Sequence, residues 1–257
     1  MEKQIVLARG AQYLYGMVHE PDRYPVGERT LLICPPIGPE WGNSLLPLVQ
    51  LSRNIVSCTD TRVIRLDYSC TGDSSGDFET FRYGDMLSSL SHACEYARME
   101  YRPRKLALLG IRLGGLAALS FLPDPEVGEI YLCDPVLDCA KYCRELAAIS
   151  NIHSIQARHE ERPALAYEDL NLGGYSLNSL FPDSLEGPDP DNLRRFGAKI
   201  KASFFTRRGG MGLKKPIQLL KEANIRVEEY QDMDPFWNHH SIAICNLFAS
   251  KLIQYLV

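Results

Sequence analysis

No stretch of the chain approaches the ~18 consecutive apolar residues that a membrane-spanning helix needs, so no transmembrane segment is expected. Positive charge is not in excess. With 28 Lys and Arg against 32 Asp and Glu, the net charge is −4, which excludes the basic footprint of a nucleic-acid binder. The opening residues, MEKQIVLARG, lack an apolar run followed by a small-residue cleavage site. The expectation is therefore no signal peptide and a cytoplasmic protein. The sequence has eight cysteines but no C-x-x-C pair. Cys139 and Cys143 would share a helix face, yet no histidine lies nearby to complete a zinc site, so no metal is expected. Free thiols filling small core positions are the plainer reading. No internal repeat or low-complexity tract is present. The run from Gly72 to Gly76 has no G-K-[ST] after it, which removes a phosphate-binding P-loop.

What is present is alternation. A hairpin around Gly10 opens the chain, and RTLLIC (29–34) reads as a buried strand stopped by Pro35 and Pro36. SLLPLVQLSRNIVSC (44–58) has helical periodicity. TRVIRLDYSCTGDSSG is a second buried strand running into a loop dense in Gly, Ser and Asp. The amphipathic helix YGDMLSSLSHACEYARMEY leads to a third strand, KLALLG. EIYLCDPVLD is a fourth and KIKASFFTRRGG a fifth. Then follow the helix KPIQLLKEAN, a last strand in IRVEEYQDMDPFW, and a closing helix. Apolar strands alternating with helices predict an α/β fold, a mostly parallel sheet with helices on both faces. Residues 141–195, rich in Pro, Gly and Asp, interrupt the alternation. The expectation is one domain, 1–257, with 141–195 as a cap over the carboxyl edge of the sheet.

The most informative stretch is LLGIRLGGLAAL (108–119). Apolar strand, glycine turn and helix are the layout of the G-x-S-x-G nucleophile elbow, here Gly110-Ile111-Arg112-Leu113-Gly114. The central serine is missing and arginine stands in its place. A guanidinium stays protonated and has no lone pair with which to attack.

Four motifs in order, LDYSCTGDSSGDF (66–78), LLGIRLGG (108–115), GGYSLNSLF (173–181) and DPFW (234–237), together resemble the exosortase A system-associated hydrolases, and within them the type 2 subgroup. The resemblance runs over most of the chain. It implies an α/β-hydrolase fold, a G-x-R-L-G elbow, a C-G-D-S-S-G-D-F loop and a P-F-W after the last strand. The sequence departs from that pattern at Thr71, where glycine is usual. It also departs at PPIGPEWGNS, where a histidine-proline and an acidic pair are usual.

The other triad seats are also displaced. No carboxylate follows the fifth strand in TRRGGMG, whereas Asp134 follows the fourth and either takes the acid seat or neutralises Arg112. Pro235 occupies the place of the catalytic histidine, with His239 and His240 a few residues on. Cys70, in the loop after the second buried strand, is the other nucleophile to weigh.

Three functions follow. The first is a pseudohydrolase that binds a small anionic or acyl ligand, or a protein partner. In it Arg112 and the backbone N–H groups of Ile37, Gly38 and Leu113 form an anion seat, unless Arg112 is a plug. The second is an enzyme of hydrolase, thioesterase or lyase type that uses His239 or His240 with Asp134, Arg112 holding substrate charge. The third is a hydrolase with Cys70 as nucleophile. None requires a cofactor.

Overall fold

The computed structural model describes residues 1–22, 28–159, 170–206, 214–231, 233, 235–239 and 242–257. The chain opens with β1 (Glu2–Arg9) and β2 (Gln12–His19). It continues through β3 (Arg29–Cys34), α1 (Gly38–Cys58), β4 (Arg62–Leu66), α2 (Tyr83–Tyr101), β5 (Lys105–Ile111) and α3 (Leu113–Leu119) to β6 (Val127–Cys133). Next come α4 (Cys139–His159), two short strands β7 (Leu170–Asn171) and β8 (Ser176–Leu177), and α5 (Pro190–Phe196). The chain closes with β9 (Ile200–Thr206), α6 (Lys214–Glu222), β10 (Arg226–Gln231), α7 (Phe236–His239) and α8 (Ile242–Leu256).

Eight strands form one sheet in the order β1-β2-β4-β3-β5-β6-β9-β10. β1 and β2 pair antiparallel, β2 meets β4 antiparallel, and every later pairing is parallel. This is the mostly parallel sheet that the alternating pattern predicts, and its central strands are apolar on both faces for the reason expected. In β5, Leu106 and Leu108 point into one core, with α2, α3 and α6. Ala107, Leu109 and Ile111 point into the other, with α1, α7 and α8. Phe236 and Trp237, the last residues of the DPFW motif, are buried in that second core against Phe205.

Two boundaries differ from the sequence reading. α1 begins at Gly38 rather than at Ser44, because Pro39 suits a first helical turn, where no N–H is needed, and Glu40 favours the positive end of the helix. The segment between β6 and β9 contains a long helix, α4, which its Pro/Gly-rich second half had concealed. Among the described residues no helix is long and apolar enough to cross a membrane.

Candidate functional site

The parallel strands end along one edge, and the turn after β5 is the sharpest feature there. Arg112 sits at φ 52°, ψ −118°, a backbone conformation that costs an L residue of order 1–3 kcal/mol. Three backbone hydrogen bonds hold it. The Arg112 N–H donates to the Cys133 carbonyl at 3.1 Å, and the Arg112 carbonyl accepts from Gly115 and Val136, each at 3.0 Å. Glycine is compulsory beside it. A Cβ on Gly110 would lie 2.4 Å from the Gly115 Cα, and one on Gly114 would lie 2.0 Å from the Cys34 carbonyl oxygen. The elbow is therefore built in full, with arginine at its apex.

The Arg112 side chain is only 16% exposed, and each guanidinium nitrogen has a partner. Nε donates to Glu40 Oε1 at 2.7 Å and Nη2 to Glu145 Oε2 at 3.3 Å. Nη1 reaches the Asp134 backbone carbonyl at 3.5 Å, and the Tyr142 ring lies 5.8 Å from the guanidinium carbon. Burial works against the charge, but Glu40 and Asp134 more than offset it and keep Arg112 protonated. Two of these partners escaped the sequence reading. Glu40 was legible in principle, since Gly-Pro-Glu is a helix-start pattern. Nothing in the sequence marked Glu145, which is brought to the elbow by the return of α4. Lys141, one turn earlier, lies 3.7 Å from Glu145.

Asp134 was expected either in the acid seat or as the carboxylate that neutralises Arg112; its charge does favour the guanidinium, but the hydrogen bond it accepts from Arg112 is at its main-chain carbonyl. Its backbone is left-handed, at φ 49°, and its N–H donates to the Ser203 carbonyl at 2.7 Å. It meets Arg112 by hydrogen bond through its carbonyl and by charge through its carboxylate. The carboxyl is 7% exposed, and its Oδ1 has no hydrogen-bond partner. Burial pushes its pKa up to about 6, with the Arg112 charge pulling in the opposite direction. Glu40 Oε2 is likewise buried without a partner.

The expected anion seat keeps its backbone donors but is closely enclosed. α3 has only seven residues, so the field at its start is small. Ile37 caps α1, Gly38 opens it at φ 57°, and Leu113 is fully buried as the first residue of α3. The N–H groups of these three have no acceptor among the described residues. The space above Gly38 is roofed by apolar atoms: a Cβ there would lie 3.6 Å from Leu172 Cδ1 and 4.0 Å from Phe78 Cζ. An entering anion would have to displace Glu40 from Arg112.

Cys70 sits in its own tight turn at φ 66°, and its sulfur has Thr80 Oγ1 as polar neighbour at 3.5 Å, not an imidazole or guanidinium. His239 ends α7, but its side chain, like the whole of His240, lies outside the described residues. Among the described residues, no group of three or more His, Cys, Asp or Glu side chains could hold a metal ion.

The segment between β6 and β9 rests on this edge. α4 supplies Glu145 and Tyr142 to Arg112, and Leu172 reaches Gly38. Further along, Tyr175 meets the Phe78 ring edge-on at 5.7 Å, and Phe181 stacks on Phe81 at 5.7 Å.

The whole architecture is that of the α/β hydrolases. Est1E from Butyrivibrio proteoclasticus with bound ferulic acid superposes with a TM-score of 0.72 at 14% identity, over 98% of this chain and 97% of that one. An esterase domain from Rhodothermus marinus gives 0.64 at 19% identity, with both chains covered completely. An α/β serine hydrolase without lid from Xanthomonas campestris gives 0.61 at 14% identity, over 99% of this chain and 95% of that one. At such identities the likeness is one of fold. No family model and no curated protein sequence matches the chain.

Proposed function

We propose that this chain is a pseudohydrolase: an α/β-hydrolase scaffold that binds a ligand or a partner and performs no serine-hydrolase chemistry. The observation that carries the reading is Arg112, seated in the strained elbow turn and tied to Glu40 at 2.7 Å. A protonated guanidinium cannot attack a carbonyl, and one already paired with two carboxylates is a plug rather than an anion receptor. This leaves acyl, neutral or cationic ligands, or a protein, ahead of anions. The segment 141–195 acts as a cap on that edge. Kinship with the type 2 exosortase-associated hydrolases is part of the proposal and rests on the four motifs in the sequence.

One observation favours a second reading. The Asp134 carboxyl, buried with its Oδ1 unpartnered and pushed up to about 6, suits the general base or acid that this reading assigns it together with His239 or His240. Of the structural neighbours named above, one is an esterase domain and one a serine hydrolase, which agrees with an enzyme on this fold.

The test is chemical. The protein should take no label from a serine-directed fluorophosphonate and should show no more than trace turnover of p-nitrophenyl esters. Arg112→Ala should lower the stability of the ligand-free protein, because it strands Glu40. Robust esterase turnover lost in Cys70→Ser would move the assignment to the thiol. Robust turnover lost in Asp134→Asn would move it to the second reading.

A further inference from the structure

We infer that the elbow site takes a ligand carrying a primary ammonium group, received by the unpartnered oxygens of Asp134 and Glu40. The inference rests on the plug reading of Arg112 and names the ligand class of that same site. Its first ground is hydrogen-bond inventory. Each guanidinium nitrogen of Arg112 already donates one hydrogen bond, to Glu40, Glu145 or the Asp134 carbonyl. Among the side-chain atoms of the site, those buried without a partner are both acceptors, Asp134 Oδ1 and Glu40 Oε2. Asp134 is itself more than nine-tenths buried, so water outside does not meet that demand. An ammonium brings three donors and no acceptor, which suits the deficit.

The second ground is charge. The groups facing Asp134 are Arg112 from the elbow, Glu40 from α1, and Lys141 and Glu145 from α4. Cys133 lies beside it on β6, and Tyr142 of α4 lies against Arg112. Arg112 and Lys141 balance Glu40 and Glu145, so an ionised Asp134 leaves one negative charge over. Either a proton or an external cation closes the account, and the two compete for the same carboxyl. Ammonium binding therefore strengthens as pH rises through the region where Asp134 ionises, and near that pH it releases a proton. Glu145, which is 43% exposed, makes the longer of the two side-chain contacts to Arg112.

n-Butylamine, protonated throughout the range used, is the probe. At ~10 mM and pH 8 it should raise the melting temperature by roughly 3 °C, the shift of a millimolar ligand on a chain of this size, and by less than half that at pH 5. Tetramethylammonium, which has charge but no donor, and sodium butyrate should give no such shift. In Asp134→Asn the butylamine shift should vanish, while the ligand-free variant melts no lower than the parent at pH 8. The inference is overturned by no butylamine shift, by an equal shift from tetramethylammonium or butyrate, or by a shift retained in Asp134→Asn. If the Asn variant does not fold, the pH profile of the parent decides, and an equal shift at pH 5 and pH 8 overturns the inference. Fluorophosphonate labelling separates the two levels. An unlabelled protein that ignores butylamine loses this inference and keeps the plug, whereas a labelled protein loses both.

Discussion

Asp134 carries a stability signature that can be read without any ligand. Its folded pKa, about 6, lies above the ordinary carboxylate value near 3.9. The contribution of such a group is fully present below the unfolded pKa and is lost as pH rises through the folded one. A gap of about two units corresponds to roughly 3 kcal/mol. Asp134→Asn, which cannot ionise, should therefore gain on the parent by about that amount between pH 4 and pH 7.5, measured by urea denaturation at each pH. A constant difference across that range would mean that the carboxyl is not isolated as described. At this scale the sequence was half legible. Gly110 and Gly114 announced the elbow because their spacing answers to close backbone approach. That Asp134 would offer Arg112 its carbonyl was not legible, because the geometry at a strand end depends on the residue's own φ, and Asp134 turns left-handed there. Glu40 was within reach of a helix-start argument. Glu145 depended on tertiary return and was not.

Among the elements, the segment between β6 and β9 is held by rings rather than by strand pairing. β7 and β8 pair only with each other, over two residues each. The contacts that fasten the segment to the loop before α2 are Phe181 on Phe81 and Tyr175 on Phe78. Phe181 is fully buried. Phe181→Ala should cost about 3–5 kcal/mol if the loss reaches the global fold. In native-state hydrogen exchange, protection should fall first in α5 and the end of α4, ahead of the β3 and β5 amides. Uniform loss across the sheet would place Phe181 in the core proper rather than in a fastening. The elements themselves were mostly visible in the sequence, because strand and helix periods are local properties. The length of α4 was not, since no change of period separates it from the irregular stretch that follows.

For the molecule as a whole, the decisive fact is that the inserted segment does not own a core. Leu172, Leu177, Phe181 and Leu193 belong to the same buried cluster as Leu32, Leu106 and Leu108 of the central strands. Calorimetry should show one cooperative transition, with calorimetric and van't Hoff enthalpies in agreement. A separate low-temperature transition, removed by cutting out the segment, would make it an independent unit. The strand order was the part of the fold least open to sequence reasoning, since it depends on which crossovers skip a neighbour. The α/β class and its two buried faces were open, because apolar strands without a polar alternate face require cover on both sides.

The three hydrogen bonds around Arg112 involve only main-chain atoms, two of them from residues outside the turn. The strained apex is thus specified by its neighbours and is indifferent to the side chain it carries. In evolutionary terms the nucleophile and its pedestal are separable characters, and the loss of one exerts no pull on the other. On the pseudohydrolase reading, a lineage can hold the pedestal without its nucleophile for as long as the surrounding glycines persist. One substitution then returns an oxygen to the apex, while the rest of a charge-relay system must be reacquired elsewhere.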